Sequence, residues 1–154
     1  MNILFVCTGN VSRSFLAEML LKNEIRQNRI KGINVASAGS HAFEDLPADP
    51  NMIDFLTERN IPFEPHLSRP ITTELIDWAD LILVMGRGQK ESIESLQPEA
   101  KDKIELLGKY ISIDQADDDV HDPFRKSSYH YRLAQSQISL AVGNLIEKLI
   151  SELG

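Results

Sequence analysis

Four short apolar runs, separated by segments of helical spacing, constrain this 154-residue chain more than any other feature. The runs are Asn2–Val6, Ile33–Ala38, Leu81–Met85 and Ile104–Leu107. Each is shorter than an ordinary helix and continuous enough to be buried on both faces, which predicts strands of a covered sheet. Between them, Ser14–Arg26 carries Leu16, Met19, Leu20 and Leu21 on one broad face. Asp49–Arg59 carries Met52, Ile53, Phe55 and Leu56, and Pro50 suits a first helical turn. Thr73–Trp78 and Gln89–Ser95 read as shorter helices. From Ser127 to Leu153, apolar residues recur at Tyr131, Ala134, Ile138, Ala141, Leu145, Leu149 and Leu153, the spacing of a long amphipathic helix. Strands alternating with helices predict an α/β fold, a parallel sheet wound with helices on both faces. Ligands of such sheets bind beyond the carboxyl ends of the strands.

The first run ends at that kind of place. Ile3-Leu4-Phe5-Val6 delivers the chain's one cysteine into Cys7-Thr8-Gly9-Asn10-Val11-Ser12-Arg13-Ser14, a loop of small side chains that closes with an arginine and a hydroxyl as a helix begins. Backbone amides in such a loop, together with the positive helix end, form an anion site. The same field favours the thiolate of Cys7, the nucleophilic form. Arg13 supplies a planar fork that matches phosphate oxygens in pairs. A buried cysteine, a surface arginine and a Gly-Asn turn are each ordinary features. Their joint spacing after a strand is not explained by packing.

Composition narrows the function further. The hydrophobic content of 42% and charged content of 25% suit one domain with a full core. A formal net charge of −7 argues against nucleic acid as a partner. Residues 1–40 are locally basic, with Arg13, Lys22, Arg26, Arg29 and Lys31 against Glu18 and Glu24, so a small anion is still attracted to that end. One cysteine leaves no internal disulfide, no apolar stretch reaches the ~18 residues of a membrane span, and no signal peptide is legible, so a cytoplasmic location with a reduced thiol is expected.

Rival motifs fit less well. No Gly-x-x-x-x-Gly-Lys-Ser/Thr is present, and Gly86-Arg87-Gly88 lacks the third glycine of a dinucleotide loop, so it reads as a turn. His41, His66, His121 and His130 show no metal-ligand spacing; no metal and no cofactor are expected, and His121 and His130 read as solvated surface. Two loops stand out. Ser37–Pro47 is small and polar, and Ile113–Lys126 is acidic, with Asp114, Asp117, Asp118, Asp119 and Asp122.

At this point the residues resemble a known family, the low-molecular-weight protein tyrosine phosphatases. Cys7 to Ser14 is similar to its signature loop, and His121-Asp122-Pro123-Phe124 to its general-acid loop before the final helix. Ser37-Ala38-Gly39, Pro47-Ala48-Asp49-Pro50, His66-Leu67-Ser68-Arg69 and Ala79-Asp80-Leu81-Ile82-Leu83 extend the resemblance over nearly the whole chain. It implies a three-layer α/β/α domain spanning 1–154, with a four-stranded parallel sheet in the order 2-1-3-4. It implies hydrolysis of phosphotyrosine in a protein substrate. Cys7 is then the nucleophile, Arg13 the phosphate clamp and Asp122 the general acid and base, with Thr8, Gly9, Asn10, Val11, Ser12 and Ser14 completing the phosphate loop. Ser14 is expected to donate to the thiolate, Asn10 to hold the loop at a positive φ, and His66 to bond Asn10. Phe124 and, less strongly, Phe43 are expected as aromatic walls for the substrate ring, with Val11 lining the floor. A monomer or a weak homodimer is expected.

The chain also departs from the family. Ser12 stands where many members carry a second cysteine, so peroxide oxidation of Cys7 has no disulfide to shield it. Phe15 stands where a proline is usual, which is expected to alter the first turn of the helix and the pocket rim. Thioredoxin-linked arsenate reductases share the loop but need further cysteines. Protein-arginine phosphatases share it too, typically with threonine at the position of Val11; the hydroxyl that Val11 lacks favours phosphotyrosine, and phosphoarginine stays open as the alternative substrate. A phosphate-binding module without turnover is the alternative of a different class. Tyr129 and Tyr131, after the acid loop, are candidate sites of phosphorylation.

Overall fold

The computed structural model describes residues 1–115 and 118–153; Asp117 of the acidic loop lies outside them. The chain runs β1 (Asn2–Cys7), α1 (Arg13–Gln27), β2 (Asn34–Gly39), α2 (Pro50–Glu58), α3 (Thr73–Trp78), β3 (Leu81–Val84), α4 (Arg87–Leu96), β4 (Ile104–Leu106) and α5 (Ser128–Leu153). Short 3-10 turns at Pro98–Lys103, Leu107–Tyr110 and Ile113–Gln115 fill the stretch around β4 and after it.

The sheet is parallel in the order β2-β1-β3-β4, as the resemblance implied. Alternation along the strands explains why the apolar runs are continuous. Ile3, Phe5, Leu81 and Leu83 face a core shared with α1, α2 and α5. Leu4, Val6, Ile82 and Val84 face a second core under α3 and α4. The sheet is thus covered on both faces, and β1 lies at its centre, where the strand order reverses. That reversal is where the fold leaves a crevice at the carboxyl ends.

Helix starts follow their local chemistry. The Asp49 carboxylate accepts the Asn51 amide at 2.9 Å ahead of Pro50 in the first turn of α2, and Thr72 accepts the Leu75 amide at 3.2 Å to open α3. Gly86-Arg87-Gly88 is not a turn: Gly86 is the N-cap and Arg87 the first residue of α4. The cap comes from elsewhere, since Asp119 Oδ1 accepts the Arg87 amide at 3.0 Å. A Cβ on residue 86 would lie 2.8 Å from Asp119 Cγ, so only glycine lets the carboxylate approach. On α5, Tyr131, Ala134, Ile138, Ala141, Leu145 and Leu149 are buried as the spacing predicts, whereas Leu153 is exposed. Among the described residues no helix is long and apolar enough to cross a membrane.

Candidate active site

The loop from Cys7 to Ser14 is built by hydrogen bonds that run in one direction. Asn10 sits at φ 58°, the left-handed region that asparagine tolerates, and is fully buried. That backbone turn points its amide N–H at Cys7 Sγ, 3.3 Å away. The Arg69 amide donates to Asn10 Oδ1 at 3.0 Å, which fixes the orientation of the side-chain amide. Asn10 Nδ2 therefore donates to Ser14 Oγ and to Ser37 Oγ, both at 2.9 Å. With its oxygen already accepting, Ser14 has its proton left for Cys7 Sγ at 2.9 Å. Ser37 passes its proton to the buried Glu18 Oε1 at 2.5 Å. The Asn10 carbonyl accepts from His66 Nε2 at 2.6 Å, so that nitrogen carries the ring proton. Asn10 and His66 meet as the resemblance implied.

The sulfur thus receives two donors in a site where Cys7 is only 3% exposed, an arrangement that suits a thiolate. Close packing makes it possible. The Ser40 and His41 amides donate to the Cys7 and Thr8 carbonyls at 2.9 and 3.0 Å. A Cβ on Gly39 would come within 2.6 Å of the Thr8 carbonyl oxygen, so a side chain there would push the loop away. Gln89, from α4, donates to Thr8 Oγ1 at 3.0 Å.

Ser12 caps nothing in its own helix. Its hydroxyl donates to Asp49 Oδ2, which also accepts the Tyr131 hydroxyl at 2.5 Å, and the Asp49 amide donates to the Val11 carbonyl at 2.8 Å. All three side chains are buried. Burial first and Asp49 second raise the Tyr131 phenol above its ordinary value, so it remains a donor at neutral pH. The burial of Tyr131 makes it a poor target for a kinase, whereas Tyr129 is exposed. Phe15 is fully buried and lays its ring 4.9 Å from that of His66. It supports the histidine that holds Asn10 and does not line the pocket rim, a correction to the expectation that it would alter the rim.

Arg13 is the other buried anchor. Its Nη1 donates to the Val120 carbonyl at 2.9 Å, and its Nη2 lies 3.6 Å from Asp122 Oδ2. The second oxygen of Asp122 accepts the Phe124 amide at 3.2 Å, a local turn bond that leaves the carboxylate facing the guanidinium. Asp122 is half exposed while Arg13 is buried.

A cavity of about 310 Å³ opens over Cys7. Thr8, Gly9, Val11, Ser12 and Arg13 line it together with Asp122, Phe43 and Phe124. Phe43 turns outward, 78% exposed, and Phe124 is 49% exposed, so neither packs into the core. The rim also takes His41, Leu46 and Arg125, which sequence spacing did not single out. Arg125 has φ 61° and stands 5.4 Å over the Phe124 ring, a placement no local motif announces. Among the described residues no group of three or more His, Cys, Asp or Glu could hold a metal.

Chemically the arrangement presents a cysteine sulfur, a loop of backbone amides, a guanidinium and a carboxyl group to one apolar-walled hole. Comparison with known proteins agrees with that geometry. Residues 2–153 match the family described as low molecular weight phosphotyrosine protein phosphatase. The chain is 39% identical over 150 residues to a protein-arginine-phosphatase of Geobacillus stearothermophilus, covering 97% of each chain. It is 32% identical to the probable low molecular weight protein-tyrosine-phosphatase EpsP of Ralstonia solanacearum, covering 96% of this chain and 94% of that one. Among solved structures, a cysteine-to-serine variant of the arginine phosphatase YwlE with a phosphorylated active-site serine superposes with a TM-score of 0.88 at 34% identity, covering 97% of this chain and 95% of that one.

Proposed function

This chain belongs to the low molecular weight phosphotyrosine protein phosphatase family, and from that premise we propose that it hydrolyses phosphotyrosine in proteins through a phosphocysteine intermediate. The whole chain, 1–154, acts in this reading as one phosphatase domain, which the match over residues 2–153 supports. The substrate phosphate sits in the loop from Thr8 to Ser14. Arg13 pairs with two of its oxygens and takes up charge in the transition state. The Cys7 thiolate forms a bond to phosphorus as the bond from phosphorus to the phenolic oxygen breaks, and Asp122 gives its proton to that oxygen. Water then attacks the phosphocysteine, Asp122 takes its proton back, and the sulfur leaves as a thiolate held by Ser14. One carboxyl serves both steps because the second reverses the first proton transfer. No metal or cofactor enters these steps.

The observation that carries the reading is the shared cavity: Cys7, Arg13 and Asp122 line one hole with Phe43 and Phe124 at its mouth. Aromatic walls and the apolar Val11 suit a phenyl ring. The requirement for a reduced thiol supports work in the cytoplasm, and a monomer suffices because every group comes from one chain.

A second reading, phosphoarginine, is favoured by one observation, the 39% identity to a relative named as an arginine phosphatase. The test compares phosphotyrosine and phosphoarginine peptides without added metal. The first reading expects kcat/KM higher for phosphotyrosine by at least about tenfold, the scale of a single well-placed contact. The reverse preference transfers the assignment to phosphoarginine. No turnover of either by folded protein leaves a phosphate-binding module.

A further inference from the structure

The acid loop carries a contact with no place in the chemistry above. His121, immediately before Asp122, brings Nε2 to 2.7 Å from Nδ1 of His130 on α5. The rings lie nearly parallel, 14° apart with centroids at 4.7 Å, and Tyr129 closes the far edge of His130. Gln137, two turns further along α5, accepts the His121 amide at 2.9 Å through Oε1. The acid loop is therefore held to α5 at the residue that precedes the acid, once through the side chain by a group that titrates and once through the backbone by a group that does not.

We propose that His130 is a positioning residue for the acid loop, a proton-sensitive latch that holds His121 and through it sets Asp122 against Arg13. The proposal rests on the reading of Asp122 as the general acid. An imidazole–imidazole hydrogen bond needs one nitrogen with a proton and one without. The latch therefore closes when the pair is neutral or shares one proton, and a second proton sets two donors face to face and opens it. Most of the groups around the pair act against a second proton. Partial burial first, then Lys126, His130 and Arg13, hold His121 below the ordinary histidine value, while Asp122 pulls the other way. With the folded value depressed, the latch is whole above the ordinary histidine range and is lost as pH falls through the folded value. Gln137 keeps the backbone bond throughout, so opening loosens the loop without releasing it.

The test uses two substrates, phenyl phosphate, whose leaving group needs the acid, and p-nitrophenyl phosphate, whose leaving group needs it less. His130→Phe keeps a ring in the stack and removes the hydrogen bond. At neutral pH it is expected to slow kcat for phenyl phosphate about threefold to tenfold, the worth of one hydrogen bond, with KM and p-nitrophenyl phosphate nearly unchanged. His130→Asn keeps a polar atom at the place of Nδ1 but does not titrate. It is expected to restore the neutral rate and to lack the extra acid-side loss of phenyl phosphate turnover that the latch predicts for wild type. Imidazole NMR gives a readout independent of activity: in wild type the two rings titrate as a coupled pair, and in His130→Asn the His121 titration moves up. Two independent titrations at ordinary values overturn the proposal, as does a folded His130→Phe with the wild-type leaving-group dependence. Asp122→Asn separates the two readings. If it fails to slow phenyl phosphate selectively, the acid assignment falls by that arm alone, and the coupled titration then reports a latch with no acid to position, which overturns the proposal.

Discussion

The two loops that meet over Cys7 are held in opposite ways. In the loop from Cys7 to Ser14, Asn10, Ser12, Arg13 and Ser14 are all buried, and their bonds reach β2, the segment around His66 and Asp49 at the start of α2, which in turn accepts Tyr131 of α5. In the acid loop, Asp122 and Phe124 are half exposed, and the chain hangs from separate pins. Asp119 is pinned to the start of α4, Val120 to Met85 by a 2.7 Å amide bond and to Arg13, and His121 to α5. Groups that bind charge work best when they need no reorganisation. A group that must give a proton and take it back from water works at a solvated edge. The contrast predicts that damage to the first loop slows every substrate alike, and that damage to the second scales with how much the leaving group needs a proton.

The largest test of that contrast removes the proposed nucleophile. Cys7→Ser is expected to lower kcat on any aryl phosphate by at least about 10⁴-fold, because an alkoxide does not form where a thiolate does. Turnover that survives would place the chemistry elsewhere. Arg13→Lys comes next. It keeps the charge and loses the fork, the bond to Val120 and the approach to Asp122, so it touches both loops. A loss of about 10³-fold in kcat/KM is expected, largely independent of the leaving group. A loss that instead tracks leaving-group basicity would assign Arg13 mainly to holding the acid loop.

Asp122→Asn probes the other side. It keeps an oxygen for the Phe124 amide and loses the proton donor. Phenyl phosphate turnover is expected to fall about 10²-fold to 10³-fold, with a much smaller fall for p-nitrophenyl phosphate. Equal falls for both would erase the distinction between the loops.

The same contrast governs how much of the site was legible in the sequence. The loop over Cys7 lies within eight consecutive residues, so local spacing was enough to place Cys7, Arg13 and Ser14 together, with the strand and helix around them. Asp122 was legible only through the resemblance, since an Asp-Pro pair is an ordinary turn. What braces both loops was not legible at all. Asp49 with Ser12 and Tyr131, Gln89 with Thr8, and His121 with His130 join residues distant in sequence, and only the folded sheet brings them together. His121 and His130 read as solvated surface because nothing in a nine-residue separation says that a helix start and a loop end will stack. Gly86 read as a turn because its cap is supplied by Asp119, thirty-three residues on.

The smallest expected effect is the one that best locates the edge of the rigid loop. Tyr131→Phe removes one hydroxyl and no volume from the core. Asp49 Oδ2 loses the 2.5 Å bond from Tyr131 but keeps Ser12, so no buried charge is left without a donor. The cost is then one hydrogen bond to a carboxylate, about 1.5 to 3 kcal/mol. For a chain of this size that lowers Tm by roughly 3 to 12 °C in thermal unfolding. Turnover is expected to change less than about twofold, because the amide bond from Asp49 to Val11 and the Asn10 contacts hold the loop without it. A variant with an unchanged Tm and a tenfold lower kcat would carry the opposite message. The strut from α5 would then act on the geometry of Arg13 and the loop amides, and the rigid half of the site would extend to the far end of Tyr131.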